Sequence, residues 1–274
     1  MGKRQPFKYG RRQCIFCERQ PPEVKISREH VFGDWLRQIF PRDEKTTHTH
    51  GTITWPLAGP KSSPPLVNAR TGQGHSGSKK VGVVCRPCNE TWLSNCIEDK
   101  VKPILIPMAS GWSAMVTADM QRVLATWAVK TAMTAEHINP GKGVVKQPER
   151  TWVREKLEPP PGWFVSMMPY SGTEWRDLGI FQHSGKLEIP AVDHNGTIEH
   201  NLGLTFIGIG HLFLLIRHST WDRIWDILGF DTPHVHRIWP IKDSGIGWPA
   251  PYVITDIEAE YFTTYLARVV DQRV

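Results

Sequence analysis

Four of the five cysteines in this 274-residue chain form two Cys-x-x-Cys pairs. The pairs are Cys14/Cys17 and Cys85/Cys88, and Cys96 stands apart from them. Each pair sets two sulfurs about one turn apart, so two pairs can complete the tetrahedral thiolate site that zinc prefers. We therefore predict a structural zinc ion held by the four paired cysteines, and a core thiol at Cys96.

Two other roles for the paired cysteines stay open at this point, namely a redox-active dithiol and plain buried thiols. Redox chemistry needs one pair on the strand-to-helix turn of a thioredoxin-like unit, and two pairs do not suit it. No apolar signal segment follows the basic start of the chain, so we expect a cytoplasmic protein with reduced cysteines. Residues 18–84 separate the pairs, which is far more than a simple zinc ribbon needs.

Local patterns indicate the elements that must position these cysteines. Apolar spacing and turn residues predict a strand, a helix ended by Pro41, a long loop region, a second strand and a second helix ended by Pro103 and Pro107. In chain order these segments are 24–26, 33–40, 41–78, 79–84 and 89–102. The first hundred residues are therefore expected to form one zinc-stapled module.

The rest of the chain has a different character. Residues 117–137 are apolar nearly throughout and predict a helix buried between layers. Beyond residue 150, short β-branched and aromatic runs alternate with Gly and Pro, which predicts a mostly antiparallel sheet containing a buried strand pair at 202–216. A closing helix is expected at 257–270. The fold class is therefore α+β, with parts at 1–102, 103–149 and 150–274.

Charge is distributed unevenly along the chain. Residues 1–102 contain 18 Lys and Arg against 9 Asp and Glu, whereas the remainder contains 15 against 18. A basic front favours a polyanionic partner such as nucleic acid. No run of about 18 apolar residues is uninterrupted, so we expect no membrane span.

The arrangement of motifs resembles the HNH endonucleases, whose ββα-metal fold often surrounds a zinc site. The residues that carry the resemblance are Cys14-Ile15-Phe16-Cys17, Glu29-His30-Val31-Phe32 and Cys85-Arg86-Pro87-Cys88-Asn89. The resemblance covers roughly the first hundred residues. It implies a zinc-stapled ββα module, and the residue patterns described above add a helical connection and a β-rich domain of unassigned role.

The resemblance also implies roles for three residues. His30 would be the general base that activates water, which suits an imidazole with a pKa near 6.5. Glu29 and Asn89 would hold one catalytic Mg²⁺ or Mn²⁺ through oxygen atoms. For Asn89, capping of the following helix is an alternative role. The family's middle Asn has no counterpart in residues 79–84, and Asn68, Gln73 or His75 could substitute for it.

Basic side chains near these motifs are expected to contact phosphates, which gives affinity without sequence preference. They are Arg11, Arg12, Arg28, Lys79, Lys80 and Arg86. The predicted function is a metal-dependent endonuclease acting on DNA, with RNA left open as a substrate. A single site cuts one strand, so cutting both strands requires a homodimer or two successive binding events. The alternatives are a catalytically silent zinc protein that binds nucleic acid, and a protein in which zinc only supports folding.

Overall fold

A computed structural model describes residues 13–40, 47–54, 66–73, 77, 79–138, 143–190, 197–221, 223–228 and 235–273 of the chain. Helices and several separate β-sheets alternate along it, so the predicted mixture of helix and sheet is confirmed. No helix within these ranges is long and apolar enough to cross a membrane.

The front of the chain is built on two short antiparallel strands. Strand β1 (Ile26–His30) pairs with β4 (Lys80–Cys85), and a bulge between Ser27 and Glu29 shifts the register. Helix α1 (Asp34–Ile39) follows β1 directly. Strand β1 therefore runs through residues 27–30, beyond the predicted strand at 24–26.

Two further strands lie between α1 and β4. Strands β2 (Thr47–Thr54) and β3 (Leu66–Gln73) pair with each other in an antiparallel ribbon. The prediction that residues 41–78 are loops was therefore wrong for these two segments. Thr, Gly and His dominate β2 and hide the apolar alternation by which strands are recognised.

A long helical segment, α2, begins where β4 ends. It consists of Arg86–Cys88, a π-helical stretch at Asn89–Glu98 and a regular stretch at Asp99–Ala109. The prediction that Pro103 and Pro107 end this helix was wrong, because both prolines lie inside it. Five buried side chains in the same stretch offset the cost of the prolines, and they are Val101, Ile104, Leu105, Met108 and Ala109.

Helices α3 (Ala118–Ala135) and α4 (Gln147–Lys156) follow, and a single 3₁₀ turn at Glu136–Ile138 extends α3. The Thr117 hydroxyl accepts a hydrogen bond from the Met120 N–H and caps α3. Residues 124–135 of α3 are all buried, which confirms the predicted inner helix. Helix α4 was not predicted, since polar residues dominate its sequence.

The C-terminal part is a five-stranded antiparallel sheet. Its strands are β6 (Trp163–Pro169), β7 (Gly179–Pro190), β8 (Thr197–Ile209), β9 (Leu212–Ser219) and β10 (His236–Trp239). Their order across the sheet is β10-β6-β9-β8-β7. The antiparallel sheet and its buried β8–β9 pair are thus confirmed. Two short strands, β5 (Ala114–Thr117) and β11 (Gly245–Trp248), form a separate pair. Helices α5 (Ile224–Leu228) and α6 (Asp256–Arg273) complete the chain.

One buried core joins the cysteine-rich front to the C-terminal sheet. Its apolar side chains come from the β1–β4 pair and from the C-terminal sheet, and they pack around α2 and α3. The turn between β8 and β9 docks on the end of α2, where the His211 N–H donates to the Ala109 carbonyl at 2.7 Å. The sheet therefore supports the helix that begins at the second cysteine pair.

Candidate metal centre and catalytic residues

The first cysteine pair lies on a tight turn that closes on itself. The Glu18 N–H donates to the Cys14 carbonyl and the Cys14 N–H donates to the Arg19 carbonyl, both at 2.9 Å. Glu18 adopts a left-handed backbone with φ of 59°, which turns the chain after Cys17. Both cysteines of the pair are thereby held on one turn.

The second pair lies where β4 passes into α2. Cys85 is the last residue of β4, and Cys88 is in the first turn of the helix. Two backbone bonds attach the pairs to the sheet: the Ile15 N–H donates to Val83 at 2.9 Å, and the Arg86 N–H donates to Lys25 at 2.8 Å. Sheet pairing therefore brings together cysteines that are far apart in sequence.

The four sulfurs converge on one point. All lie within 4.8 Å of one another, and the Cys17 and Cys85 sulfurs are 3.5 Å apart. A tetrahedral zinc site with bonds of about 2.3 Å has sulfur–sulfur edges of about 3.8 Å. This donor set can bind a metal ion such as zinc, as the sequence predicted. Cys96, half-buried on α2, lies outside the cluster.

Burial and hydrogen bonds between the sulfurs shift the pKa values of three of the four thiols. A hydrogen bond from Cys88 lowers the pKa of the Cys14 thiol to about 4, and sharing that proton raises the pKa of Cys88 far above its ordinary value. Burial raises the pKa of Cys85 to about 11. Four adjacent thiolates repel one another, so a divalent cation is needed to stabilise them together.

Aromatic packing fixes the cysteine turn against α2. Phe16, between the first two cysteines, is fully buried, and its ring meets that of Trp92 edge-on at a centroid distance of 5.1 Å. Such contacts add to the stabilisation from area burial alone. The four-cysteine cluster therefore lies between the β1–β4 pair and the helix.

Glu29 is buried on the inner side of β1. Its electrostatic neighbours are Lys130 of α3 and Glu98 of α2, and burial raises the pKa of its carboxyl to about 7. Glu98 forms an ion pair with Lys130 and also accepts from the indole N–H groups of Trp35 at 2.6 Å and Trp127 at 3.3 Å. The Glu29 carboxyl thus lies beside a buried charge cluster.

His30 is half-buried at the end of β1. Its Nε2 is 3.3 Å from Oδ1 of Asp34, the first residue of α1, and Arg37 approaches the same oxygen at 2.9 Å. Burial lowers the pKa of His30, and the nearby Lys80 ammonium acts in the same direction. The imidazole is therefore neutral at neutral pH, as a general base must be.

Asn89 lies in α2 one residue after Cys88. Its amide donates to the Ser27 hydroxyl at 3.4 Å, and that hydroxyl donates to the Val84 carbonyl at 2.9 Å. The helix starts at Arg86 with Cys85 as its N-cap, so the alternative that Asn89 caps the helix was wrong. The amide instead lies beside β1.

The structure brings the four cysteines together but does not join the other three predicted residues directly. Within the described part of the chain, no hydrogen bond or ion pair links Glu29, His30 and Asn89 to one another. Ser27, the partner of Asn89, precedes His30 by three strand residues, which is about 10 Å along the backbone. Their assignment as a catalytic set stays a prediction.

The predicted phosphate contacts differ in their surroundings. Arg28 and Lys80 are exposed and Lys79 is half-buried. The exposed Arg86 guanidinium already pairs with Glu90 at 2.6 Å. The remaining predicted residues lie outside the described side chains: Arg11, Arg12, Asn68, Gln73 and His75.

Sequence reasoning missed Asp34, Glu98 and Lys130. Asp34 had a local signal, because an acidic residue that opens a helix just after a strand-end histidine can reach that histidine. Glu98 and Lys130 had none, since their pairing depends on the packing of α2 against α3.

Comparison with known proteins reveals no relative of this chain: no protein-family model, curated protein or solved structure matches it. A four-cysteine site alone does not identify a family, because such sites occur on unrelated folds. The likeness to HNH endonucleases therefore stays a prediction from the motifs.

Proposed function

We propose that this protein is an HNH-type endonuclease that hydrolyses phosphodiester bonds in DNA. In this proposal residues 1–102 form the zinc-stapled ββα-metal module, 103–149 a helical connection and 150–274 a β-rich domain. The observation that carries the proposal is the order of elements around the cysteines. Strand β1 pairs antiparallel with β4, and β4 runs without a break into α2. The four-cysteine cluster lies at the junction of β4 and α2, and His30 ends β1.

The proposed reaction is in-line attack of water on phosphorus. His30 accepts a proton from the attacking water, the new P–O bond forms, and the bond to the leaving oxygen breaks. Glu29 and Asn89 would hold the Mg²⁺ or Mn²⁺, which supplies positive charge where the phosphate and the leaving oxygen become more negative. Zinc takes no part in this chemistry and keeps the turn at Cys14 joined to the start of α2.

The charge around the proposed site suits a nucleic-acid substrate. No Asp or Glu occurs in residues 45–89, the stretch that leads through β4 to the start of α2. Arg28 and Lys80 are exposed on the paired strands that carry His30. Such cations attract phosphates of any sequence, so affinity should fall steeply with salt.

A second candidate is a catalytically silent zinc protein that binds nucleic acid. The observation that favours it is the position of the two proposed ligands of the catalytic cation. Glu29 lies beside Lys130 and Glu98, whereas the Asn89 amide is bonded to Ser27. A binder needs the basic surface and the zinc cluster, but it does not need these two side chains to share an ion.

Substitution of Asn89 separates the two candidates. If Asn89 holds the catalytic ion, Asn89→Ala should lower the single-turnover rate of plasmid nicking by about a hundredfold or more while retaining affinity for DNA and zinc. Asn95→Ala, an exposed position on the same helix, is the matched control and should leave the rate unchanged. Equal rates for both variants would remove Asn89 from the reaction. Wild-type protein that binds DNA but never cuts it, with either metal, would favour the binder.

A further inference from the structure

The neighbours of His30 suggest what orients its ring in the absence of the family's middle Asn. We propose that Asp34 is the positioning residue of this imidazole and that Arg37 fixes Asp34 in turn. The inference rests on the proposed function, because it gives His30 the role of general base. The supporting observation is a pair of contacts made by one carboxylate oxygen of Asp34. This oxygen lies 3.3 Å from the His30 Nε2 and 2.9 Å from the Arg37 guanidinium.

The segment between β1 and α1 fixes the position of His30 relative to Asp34 and Arg37. Val31 and Phe32 are buried, and the Val31 N–H donates to the Lys79 carbonyl at 3.0 Å. Gly33 then turns the chain with φ of −55° and ψ of 136°, and α1 starts at Asp34. A side chain at Gly33 would overlap the Trp35 indole and the Glu98 carboxylate, so the connection packs tightly against the buried charge cluster.

The carboxylate selects one tautomer of the imidazole. An ionised carboxylate accepts hydrogen bonds only, so its position favours the proton on Nε2 and leaves the lone pair on Nδ1 free for the proton of water. When water attacks, its O–H bond breaks, an N–H bond forms at Nδ1, and the resulting imidazolium is stabilised by the adjacent negative charge. The 3.3 Å contact is an ion-pair distance without hydrogen-bond geometry, because Asp34 Oδ1 has no hydrogen-bond partner among the described residues. Catalytic hydrogen bonds are often poorly aligned in the absence of substrate and tighten when it binds.

Arg37 determines where the Asp34 carboxylate lies. Both side chains are nearly half exposed, at 46% for Arg37 and 42% for Asp34, so water screens the attraction between them. Its role is therefore geometric, because the guanidinium restricts the rotamers of Asp34 at the start of α1. Loss of Arg37 should impair the orientation of His30 less than loss of Asp34 does.

The tautomer of His30 can be measured without nuclease activity. In ¹⁵N-labelled, zinc-loaded full-length protein, two-bond nitrogen–proton correlations should show His30 protonated on Nε2 above its pKa. Asp34→Asn presents an amide that can donate to Nε2, so it should shift the population towards the Nδ1–H tautomer. Asp119→Asn is the matched control, because Asp119 also lies in the first turn of a helix and pairs with an arginine three residues on, at 3.1 Å. It should leave the His30 signals unchanged.

Cleavage provides the second readout. Asp34→Asn should lower the single-turnover nicking rate about a hundredfold or more with little change in DNA affinity, and Asp34→Glu should restore part of it. If the wild type cuts DNA and Asp34→Asn cuts equally well, the positioning role is overturned while the proposed function stands. If the wild type never cuts but the tautomer still follows Asp34, the nuclease proposal fails alone. An unchanged His30 tautomer in Asp34→Asn overturns the inference in either case.

Discussion

Each sulfur of the four-cysteine cluster needs positive charge nearby if it is to be a thiolate. Burial raises the pKa of Cys85, and the proton shared by Cys14 and Cys88 binds more tightly than in a free thiol. A metal ion such as zinc would replace these protons and link the turn at Cys14 to the start of α2. At the residue scale, the cluster is therefore coupled to folding.

Cys88→Ser should abolish stoichiometric zinc binding and unfold the front of the protein. Structural zinc sites contribute apparent free energies of about 10–16 kcal/mol, which exceeds the stability of most domains. Metal content by mass spectrometry and near-ultraviolet circular dichroism would report the loss. Cys96→Ser is the matched control, since this thiol lies on the same helix outside the cluster. Full zinc occupancy in Cys88→Ser would contradict the assignment.

His218 makes stability depend on pH. Its ring is buried and stacks on Trp163 with centroids 4.1 Å apart, and burial lowers its pKa to about 3. The unfolded chain binds a proton at this residue near pH 6.5 and the folded chain does not. The stability it contributes is therefore complete above pH 6.5 and is lost as the pH falls towards 3.

His218→Gln should flatten the acid side of the stability profile. In the wild type, this residue should make the free energy of unfolding about 2 kcal/mol lower at pH 5 than at pH 8. In the variant, that contribution should be absent. Urea unfolding at a series of pH values gives the free energy of unfolding of each protein as a function of pH. Because the slopes of the two curves are compared, a lower absolute stability of the variant does not affect the result. Parallel profiles would show that His218 is protonated in the folded protein.

At the scale of elements, a buried ion pair joins α2, the helix that begins at the four-cysteine cluster, to the central helix α3. Lys130 of α3 is fully buried, and its ammonium meets the Glu98 carboxylate at the end of the π-helical stretch of α2. Indole N–H groups from α1 and α3 complete the partners of that carboxylate. Removal of one charge would leave the other buried without compensation.

Lys130→Met should therefore lower the free energy of unfolding by about 3–5 kcal/mol. Arg122→Met is the matched control on the same helix, because its pair with Asp119 is exposed and worth about 1 kcal/mol or less. Urea denaturation followed by tryptophan fluorescence compares the two. If Lys130→Met costs no more than Arg122→Met, the buried pair is not a major contributor to the packing of α2 on α3.

Elements differed in how well the sequence predicted them. Helix α3 and the β8–β9 pair have continuous apolar runs, and both were predicted close to their observed bounds. The extension of α2 past Pro103 was missed, because tertiary burial outweighs the intrinsic cost of proline only once the neighbouring helix is in place. The β2–β3 ribbon was missed because strand periodicity is weak in a Thr- and Gly-rich segment.

At the scale of the whole molecule, one core connects the cysteine cluster to the C-terminal sheet. The convergence of the four paired cysteines could be predicted from their spacing, since metal coordination requires sulfurs that meet at one point whatever the intervening fold. The surroundings of Glu29 could not, because Glu98 and Lys130 come from helices that only the complete fold brings together. Local motifs thus predict the donor atoms, and global packing decides which of them can share an ion.

The nicking of supercoiled plasmid by zinc-loaded wild type and His30→Ala, purified in parallel, tests the central claim most directly. The endonuclease proposal predicts that the wild type nicks DNA only with Mg²⁺ or Mn²⁺ and that His30→Ala loses about a hundredfold or more of the rate at unchanged zinc content and DNA affinity. Equal rates in the two preparations, or no cutting by a wild type that binds DNA and zinc, would contradict it.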